Sequence, residues 1–169
     1  MMRSRLARSL ALSILCFALY IIYTGSTRIY DVVTGIVVSL IVGLALGPLI
    51  VEDWRKSLDI RRLGKLVAFT TKYFLVHETR AHLDFIARGL GLRPMKPRIV
   101  CLEPATKSGF GLTALSIAIT NTPGTAVIDV YEDRGEICVH WVAAGDLPRE
   151  EVYRAVVESF DRELKEVFD

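Results

Sequence analysis

The sequence predicts a membrane α-helical hairpin followed by a small cytoplasmic α+β domain of βαββα order. Three observations carry this reading. Two uncharged apolar runs of spanning length lie near the N-terminus, the charge balance reverses near residue 97, and residues 98–169 show strand, helix, hairpin and helix patterns in turn. Hydrophobic residues make up 51% of the 169 and charged residues 24%, a balance shifted from soluble domains toward membrane proteins.

The first run, residues 9–27, and the second, residues 32–51, contain no charged side chain. At 1.5 Å per residue each is long enough to cross a hydrocarbon core of about 30 Å. The connector Arg28-Ile29-Tyr30-Asp31 is short enough to make the pair an antiparallel hairpin, so residues 1–57 form the membrane region. A cleaved signal is the competing reading of the first run, because Arg3, Arg5 and Arg8 precede it. No small-x-small cleavage site follows, and Leu15 before Cys16 does not suit a lipoprotein signal. Basic residues flank both outer ends: Arg3, Arg5 and Arg8 before the first span, then Arg55, Lys56, Arg61, Arg62 and Lys65 after the second. By the positive-inside rule both the N-terminus and the C-terminal domain are expected in the cytoplasm of a multi-pass protein of the cell (inner) membrane.

Residues 58–97 hold an amphipathic segment and a linker. Leu63, Leu66, Phe69, Tyr73 and Val76 recur at helical spacing, which predicts a helix in the lipid interface or against partner subunits. Lys65, Lys72, Glu78, Arg80 and Asp84 make it a poor third span, the alternative reading. The charge then changes sign. Residues 1–97 carry 14 Lys/Arg against 6 Asp/Glu, and residues 98–169 carry 7 against 13. The basic part suits anionic lipid headgroups, and the acidic domain argues against nucleic acid as a partner.

Within 98–169, Arg98 to Leu102 reads as a strand and Gly111 to Thr120 as a helix. Thr125 to Tyr131 and Glu136 to Val142 read as a hairpin. A final amphipathic helix follows Asp146, its expected N-cap. Pairing Tyr131 with Glu136 places Ile128 opposite Val139 and Ala126 opposite Trp141 on the core face. Asp129 and His140 become diagonal neighbours on the other face. Cys16 falls in a span, while Cys101 and Cys138 fall in apolar strands. Their spacing suggests neither metal nor disulfide, so free thiols in a reducing compartment are expected.

Few patterns point to chemistry. Gly109-Phe110-Gly111-Leu112-Thr113-Ala114 matches a dinucleotide fingerprint, but no strand runs directly into it, so a loop entering a helix is the simpler reading. His77 and His82 are one residue too far apart for the zinc peptidase motif, whereas Glu78 and His82 share a helix face as a structural pair. No catalytic constellation, metal set or cofactor is expected. Apart from Arg8 at a boundary, the spans lack the acids, bases or lysines that ion carriers expose. The second span does carry Gly35, Ser39, Gly43 and Gly47 at four-residue intervals, a small-residue stripe that lets a helix approach closely, whether in another subunit or in the first span.

The run Ile117-Ala118-Ile119-Thr120-Asn121-Thr122-Pro123-Gly124-Thr125, then Val127-Ile128-Asp129-Val130, then Val139-His140-Trp141, resembles the E-type small membrane component of the multisubunit Mrp cation/proton antiporters. The order of hairpin, amphipathic segment and domain matches over nearly the whole chain, although Asn121 stands where the family usually has Leu. The resemblance implies a non-catalytic subunit of a Na+/H+ antiporter-type complex, partnered by other membrane subunits. It also implies the equivalent subunit of an archaeal sodium-pumping hydrogenase or sulfur reductase as an alternative. It marks Thr122, Pro123, Gly124, Thr125, Asp129, His140 and Trp141 as residues of domain architecture. A reading of another class is a free-standing membrane-anchored sensor that binds a small ligand.

Overall fold

Both uncharged runs fold as long helices. The computed structural model describes residues 2–169, with α1 at Met2–Thr24 and α2 at Ile29–Ile50. Gly25 ends α1 with a φ of +60°, and its N–H donates to the Ile21 carbonyl at 3.0 Å, a left-handed cap that glycine adopts without steric cost. Only 17% and 22% of the two apolar stretches is buried, which leaves the outward faces to lipid. A one-turn helix α3, Trp54–Ser57, follows, capped by the Asp53 carboxylate on the Arg55 N–H. The chain divides after Leu63 into two compact units.

Leading into and through the second unit, α4 (Ile60–Lys72), a π-helical turn (Tyr73–Glu78) and α5 (Thr79–Gly89) run on without a break. β1 (Arg98–Leu102), β3 (Glu136–Trp141) and β2 (Thr125–Tyr131) form an antiparallel sheet in that spatial order. α6 (Gly109–Asn121), α7 (Arg149–Val156) and α8 (Glu158–Phe168) complete the unit. Leu115, Ile119, Ile137, Val139 and Leu164 are fully buried between sheet and helices, where truncating one such leucine costs about 2–5 kcal/mol. The stripe that was expected to meet lipid or a partner is occupied by this core. Leu66, Phe69 and Tyr73 pack into it, with Phe160 edge-on to Phe69 at 6.2 Å. Lys65 and Lys72 pair with Glu166 and Glu163 of α8, holding the same face down.

Three local expectations are corrected. The hairpin begins in the expected register, Tyr131 with Glu136 and Val130 with Ile137, but a β-bulge separates Val127 from Asp129. Val127 therefore pairs with Val139 and packs on the core, whereas Ile128 points out, 57% exposed. Trp141 sits opposite Thr125 rather than Ala126. Asp129 keeps Cys138 as its partner, and His140 sits opposite Ala126. β2 is an edge strand, where bulges concentrate, and its outward N–H groups are blunted. Val127 donates to Thr120 Oγ1 at 3.1 Å and Val130 to Asp129 Oδ1 at 2.8 Å.

The second correction concerns the thiols. β1 pairs with β3, which sets Cys101 directly across from Cys138 with Cα atoms 3.9 Å apart, and the two form a disulfide. Free Cys16 remains in α1. The bridge closes a loop between residues 37 apart in sequence, so reduction is expected to cost about 2–4 kcal/mol. Thermal melts of the detergent-solubilised chain with and without reductant check this, and a Cys101→Ser/Cys138→Ser chain should melt with the reduced protein.

Third, the final helix is two. Val157, fully buried with φ −112° and ψ −44°, kinks the chain between α7 and α8 so that both can cover the core. Pro148, not Asp146, occupies the N-cap position; exposed Asp146 faces Lys96 at 3.6 Å instead.

Candidate functional site

Two constellations stand out, one in each unit. In the first, Gly35, Ser39, Gly43 and Gly47 are the buried residues of α2. A Cβ at Gly43 would lie 2.0 Å from Ser13 Oγ and 2.6 Å from the Ser9 carbonyl oxygen. At Gly47 it would lie 2.5 Å from Ser9 Cα, and at Gly35 2.6 Å from the Tyr20 ring. The stripe thus faces the chain's own α1, whose Ser9 and Ser13 are buried against it. Ser13 donates to the Ser9 carbonyl at 2.9 Å, so the close approach leaves its hydroxyl donor satisfied.

The second constellation grows from the π-helical turn. Residues five apart diverge by about 140° on an α-helix, but a π-turn brings them onto one face. The Tyr73 hydroxyl accordingly donates to Glu78 Oε1 at 2.7 Å. Asn121 Nδ2 donates to the same oxygen at 3.2 Å, and His82 Nδ1 lies 3.0 Å from Glu78 Oε2. Tyr73 also lies 3.3 Å from Thr122 Oγ1, which itself donates to the Ala118 carbonyl at 2.8 Å. Burial raises the Tyr73 phenol above its ordinary value, which keeps it a donor to the carboxylate. Glu78 is only 9% exposed, so these partners satisfy a carboxylate that water scarcely reaches. His77, by contrast, turns away and packs edge-on against Phe160 at 5.0 Å; burial, then Lys72, hold it below the usual histidine value.

The Thr-Pro-Gly-Thr block adjoins this cluster as the turn from α6 into β2. Thr122 begins it and Thr125 Oγ1 donates back to the Ile119 carbonyl at 2.7 Å. Pro123 lies in the bend, and Gly124 adopts φ +89° with Phe85 and Val142 packed within 3.3 Å of where a Cβ would sit. Its carbonyl accepts from the Val142 N–H at 3.0 Å, which ties the turn to the end of β3. His140 sits opposite Ala126, directly after the turn, Asp129 lies further along β2, and Trp141 packs partly buried against the core.

The loop before α6, residues 103–108, already has its acceptors. The fully buried Asp161 carboxylate takes the Ala105 and Thr106 N–H groups at 2.6 and 2.9 Å and the Tyr153 hydroxyl at 2.6 Å. Asp169 takes the Lys107 and Ser108 N–H groups at 3.0 and 3.2 Å. Ser108 caps α6 through the Gly111 N–H. The Ala105 to Ser108 N–H groups are therefore committed to the chain's own carboxylates. Among the described residues no group of three or more His, Cys, Asp or Glu side chains could hold a metal.

Asp169 and Asp84 carry a pH dependence. Burial works to raise Asp169, but hydrogen bonds from Ser108, Lys107 and Thr106 outweigh it and hold the group below 3.8, the ordinary value. Asp84 is likewise held down, first by Arg88 and then Arg93, against burial. A carboxyl depressed in the fold contributes stability above its unfolded value and loses it as pH falls through the folded one. Melting temperature is thus expected to fall steeply below about pH 4, and less steeply in Asp84→Asn or Asp169→Asn chains.

Sequence reasoning found the turn, the stripe and the Glu78–His82 pair, but not Tyr73, Asn121, Asp161 or Asp169. The departure at Asn121 was the available signal for the cluster, since a polar side chain on an otherwise apolar helix face needs a partner.

Fold and sites define a class: a two-helix membrane hairpin carrying a small α+β domain organised around internal polar contacts. Within that class the chain belongs to the Na+/H+ ion antiporter subunit family, whose model matches residues 13–167. It is similar to the E component of the Na(+)/H(+) antiporter of Bacillus subtilis (strain 168), 32% identical over 73 residues. That match covers 43% of this chain and 45% of the Bacillus protein, so the chain spans less than half the length of this relative in the alignment. In structure it is similar to a chain of the membrane-bound sulfane sulfur reductase, an archaeal respiratory membrane complex. The two share 26% identity and a TM-score of 0.82, over 96% of this chain and 99% of that one.

Proposed function

We propose that the chain is a non-catalytic membrane subunit of a multisubunit monovalent cation/proton antiporter-type complex, helping to assemble its ion-translocating module. The match of the Na+/H+ ion antiporter subunit family over residues 13–167 is the observation that carries this reading. The spans support it. Their apolar faces remain uncovered, and residues 9–27 and 32–51 offer no charged group to a Na+ or H+ path. The carrier then lies in partner subunits, and this chain supplies a scaffold. The fold match across 96% of the chain favours a second host, a membrane-bound sulfur reductase, in which the subunit does the same work.

The proposed orientation keeps the N-terminus and the α+β domain cytoplasmic in the cell membrane. Arg5, Arg8, Arg55 and Lys56 lie on that side, against Arg28 alone in the connector. Cys101–Cys138 is uncommon in a reducing compartment. The charge argument outweighs it because charge acts during insertion, before the domain and its bridge form.

A C-terminally tagged chain is to be drawn from its native membrane in mild detergent and its companions identified by mass spectrometry. Large antiporter-like subunits are expected. Hydrogenase or sulfur-reductase subunits among them would identify the host. Recovery as a stable monomer or homo-oligomer would sink the proposal in favour of a free-standing sensor.

A further inference from the structure

The continuous helix from α4 through the π-turn to α5 has two apolar sides. One, with Phe69 and Tyr73, closes the core of the domain. The other is a stripe of Val67, Thr71, Leu75, Thr79, Leu83 and Ile86. Val67, Leu75, Leu83 and Ile86 are 66, 70, 64 and 54% exposed. The π-turn adds one residue to the helix. That extra residue keeps Leu83 in line with Leu75, eight positions away, where an uninterrupted α-helix would hold the spacing at seven.

From this geometry we propose that the outer stripe lies flat in the anionic headgroup layer of the bilayer that holds the two spans. Three observations select lipid as the occupant. Of the six Lys/Arg in residues 60–92, Lys65 and Lys72 are drawn to the domain by Glu166 and Glu163, and Arg88 is paired with Asp84. Exposed Arg61 and Arg80 present basic charge outward, the sign that anionic headgroups attract. Nine residues, 51–59, join the end of α2 to the start of this helix, and α3 coils four of them, so the helix starts within reach of the headgroups. Trp54, at the start of α3, is the residue type enriched at membrane–water boundaries. Crossing the bilayer is excluded by the helix's other side. Phe69 and Tyr73 would have to leave the core, and Lys65 and Lys72 would have to leave Glu166 and Glu163. The stripe expected from the sequence to meet lipid faces the domain; the opposite stripe faces lipid.

This inference rests on residues 9–27 and 32–51 being bilayer spans, not on the identity of the host complex, so its test needs no partner. The full chain, with Cys16→Ser, is reconstituted in vesicles of phosphatidylglycerol and phosphatidylcholine. Spin labels are placed one at a time through Thr71→Cys, Leu75→Cys, Thr79→Cys and Leu83→Cys, with Ala68→Cys on the flank. Relaxation by oxygen and by a water-soluble nickel chelate is then compared. The stripe positions are expected to be oxygen-rich and nickel-poor at one shared depth, with Ala68→Cys more open to nickel. Arg61→Gln/Arg80→Gln should shift the balance toward the aqueous state by roughly fivefold per charge removed. Nickel access throughout the stripe would overturn the proposal. So would a depth that passes through the bilayer centre, which would mean a third crossing. The same labels, shielded from both reagents only in the intact complex and open to nickel in vesicles, would assign the stripe to a partner subunit and overturn it equally.

Discussion

Leucine at Gly47 is expected to force the two spans apart, with the largest effect of any single change in the membrane half. A Cβ there meets the Ser9 Cα at 2.5 Å and the Arg8 carbonyl at 3.0 Å, which are backbone atoms that no rotamer change can move. At Gly43 the obstacles are Ser13 Oγ, which can turn, and two backbone atoms that cannot, the Ser9 carbonyl oxygen at 2.6 Å and the Ser13 nitrogen at 2.9 Å. At Gly35 they are the Tyr20 and Phe17 rings, both side chains with freedom to swing toward lipid. The expected order of damage is therefore Gly47→Leu, then Gly43→Leu, then Gly35→Leu, with about 3 kcal/mol or more for the first. Gly64→Ala provides the control, since nothing lies within 4 Å of its Cβ position; helix propensity alone should stabilise it by about 1 kcal/mol. Thermal melts in detergent, read alongside recovery of the subunit in its complex, check the ranking. Unchanged melting and assembly for Gly43→Leu and Gly47→Leu would mean that the small-residue seam does not hold the spans together.

The second large effect is expected at Glu78. Glu78→Leu leaves Asn121 Nδ2 and His82 Nδ1 without the carboxylate that each faces at 3.2 and 3.0 Å, and takes from Tyr73 its shortest acceptor. Of these partners Tyr73 is the buried one, 5% exposed, and weakening a buried donor's hydrogen bonding costs about 1–3 kcal/mol, so the change is expected to destabilise the domain by about 2 kcal/mol. Glu78→Gln keeps an acceptor and should cost about 1 kcal/mol. Asn121→Leu removes one donor and should cost less than Glu78→Leu. A double-mutant cycle between positions 78 and 121, read by chemical denaturation, is expected to give a coupling of about 1 kcal/mol. Strict additivity would mean that the cluster does not act as a unit.

The two sites differ in how far a single sequence reveals them. Gly35, Ser39, Gly43 and Gly47 are visible because an α-helix repeats and the eye can count by fours. The spans are visible because a charge in lipid is costly and its absence over 19 or so positions is rare in a soluble chain. The Tyr73–Glu78 bond is invisible because it depends on a π-turn, and residues five apart diverge on the helix that propensity suggests. The Ile128 bulge is equally hidden. Ile and Val are both apolar, so alternation alone cannot say which faces the core, and a one-residue slip reverses the answer. The disulfide follows from β1 joining the sheet beside β3. The hairpin pattern does not specify that neighbour, and without it Cys101 and Cys138 are merely two thiols in separate strands. The break at Val157 is set by what α7 and α8 must cover, not by any helix-breaking residue.

In the proposed role this subunit scaffolds an ion-exchanging module and carries no ions itself. The most direct measurement reconstitutes the purified chain alone, and the intact complex separately, into vesicles loaded with a pH-sensitive dye, and applies a sodium gradient. The complex is expected to move protons against sodium, and the chain alone to leave the internal pH unchanged. Sodium-driven proton movement by the chain alone would contradict the scaffold role.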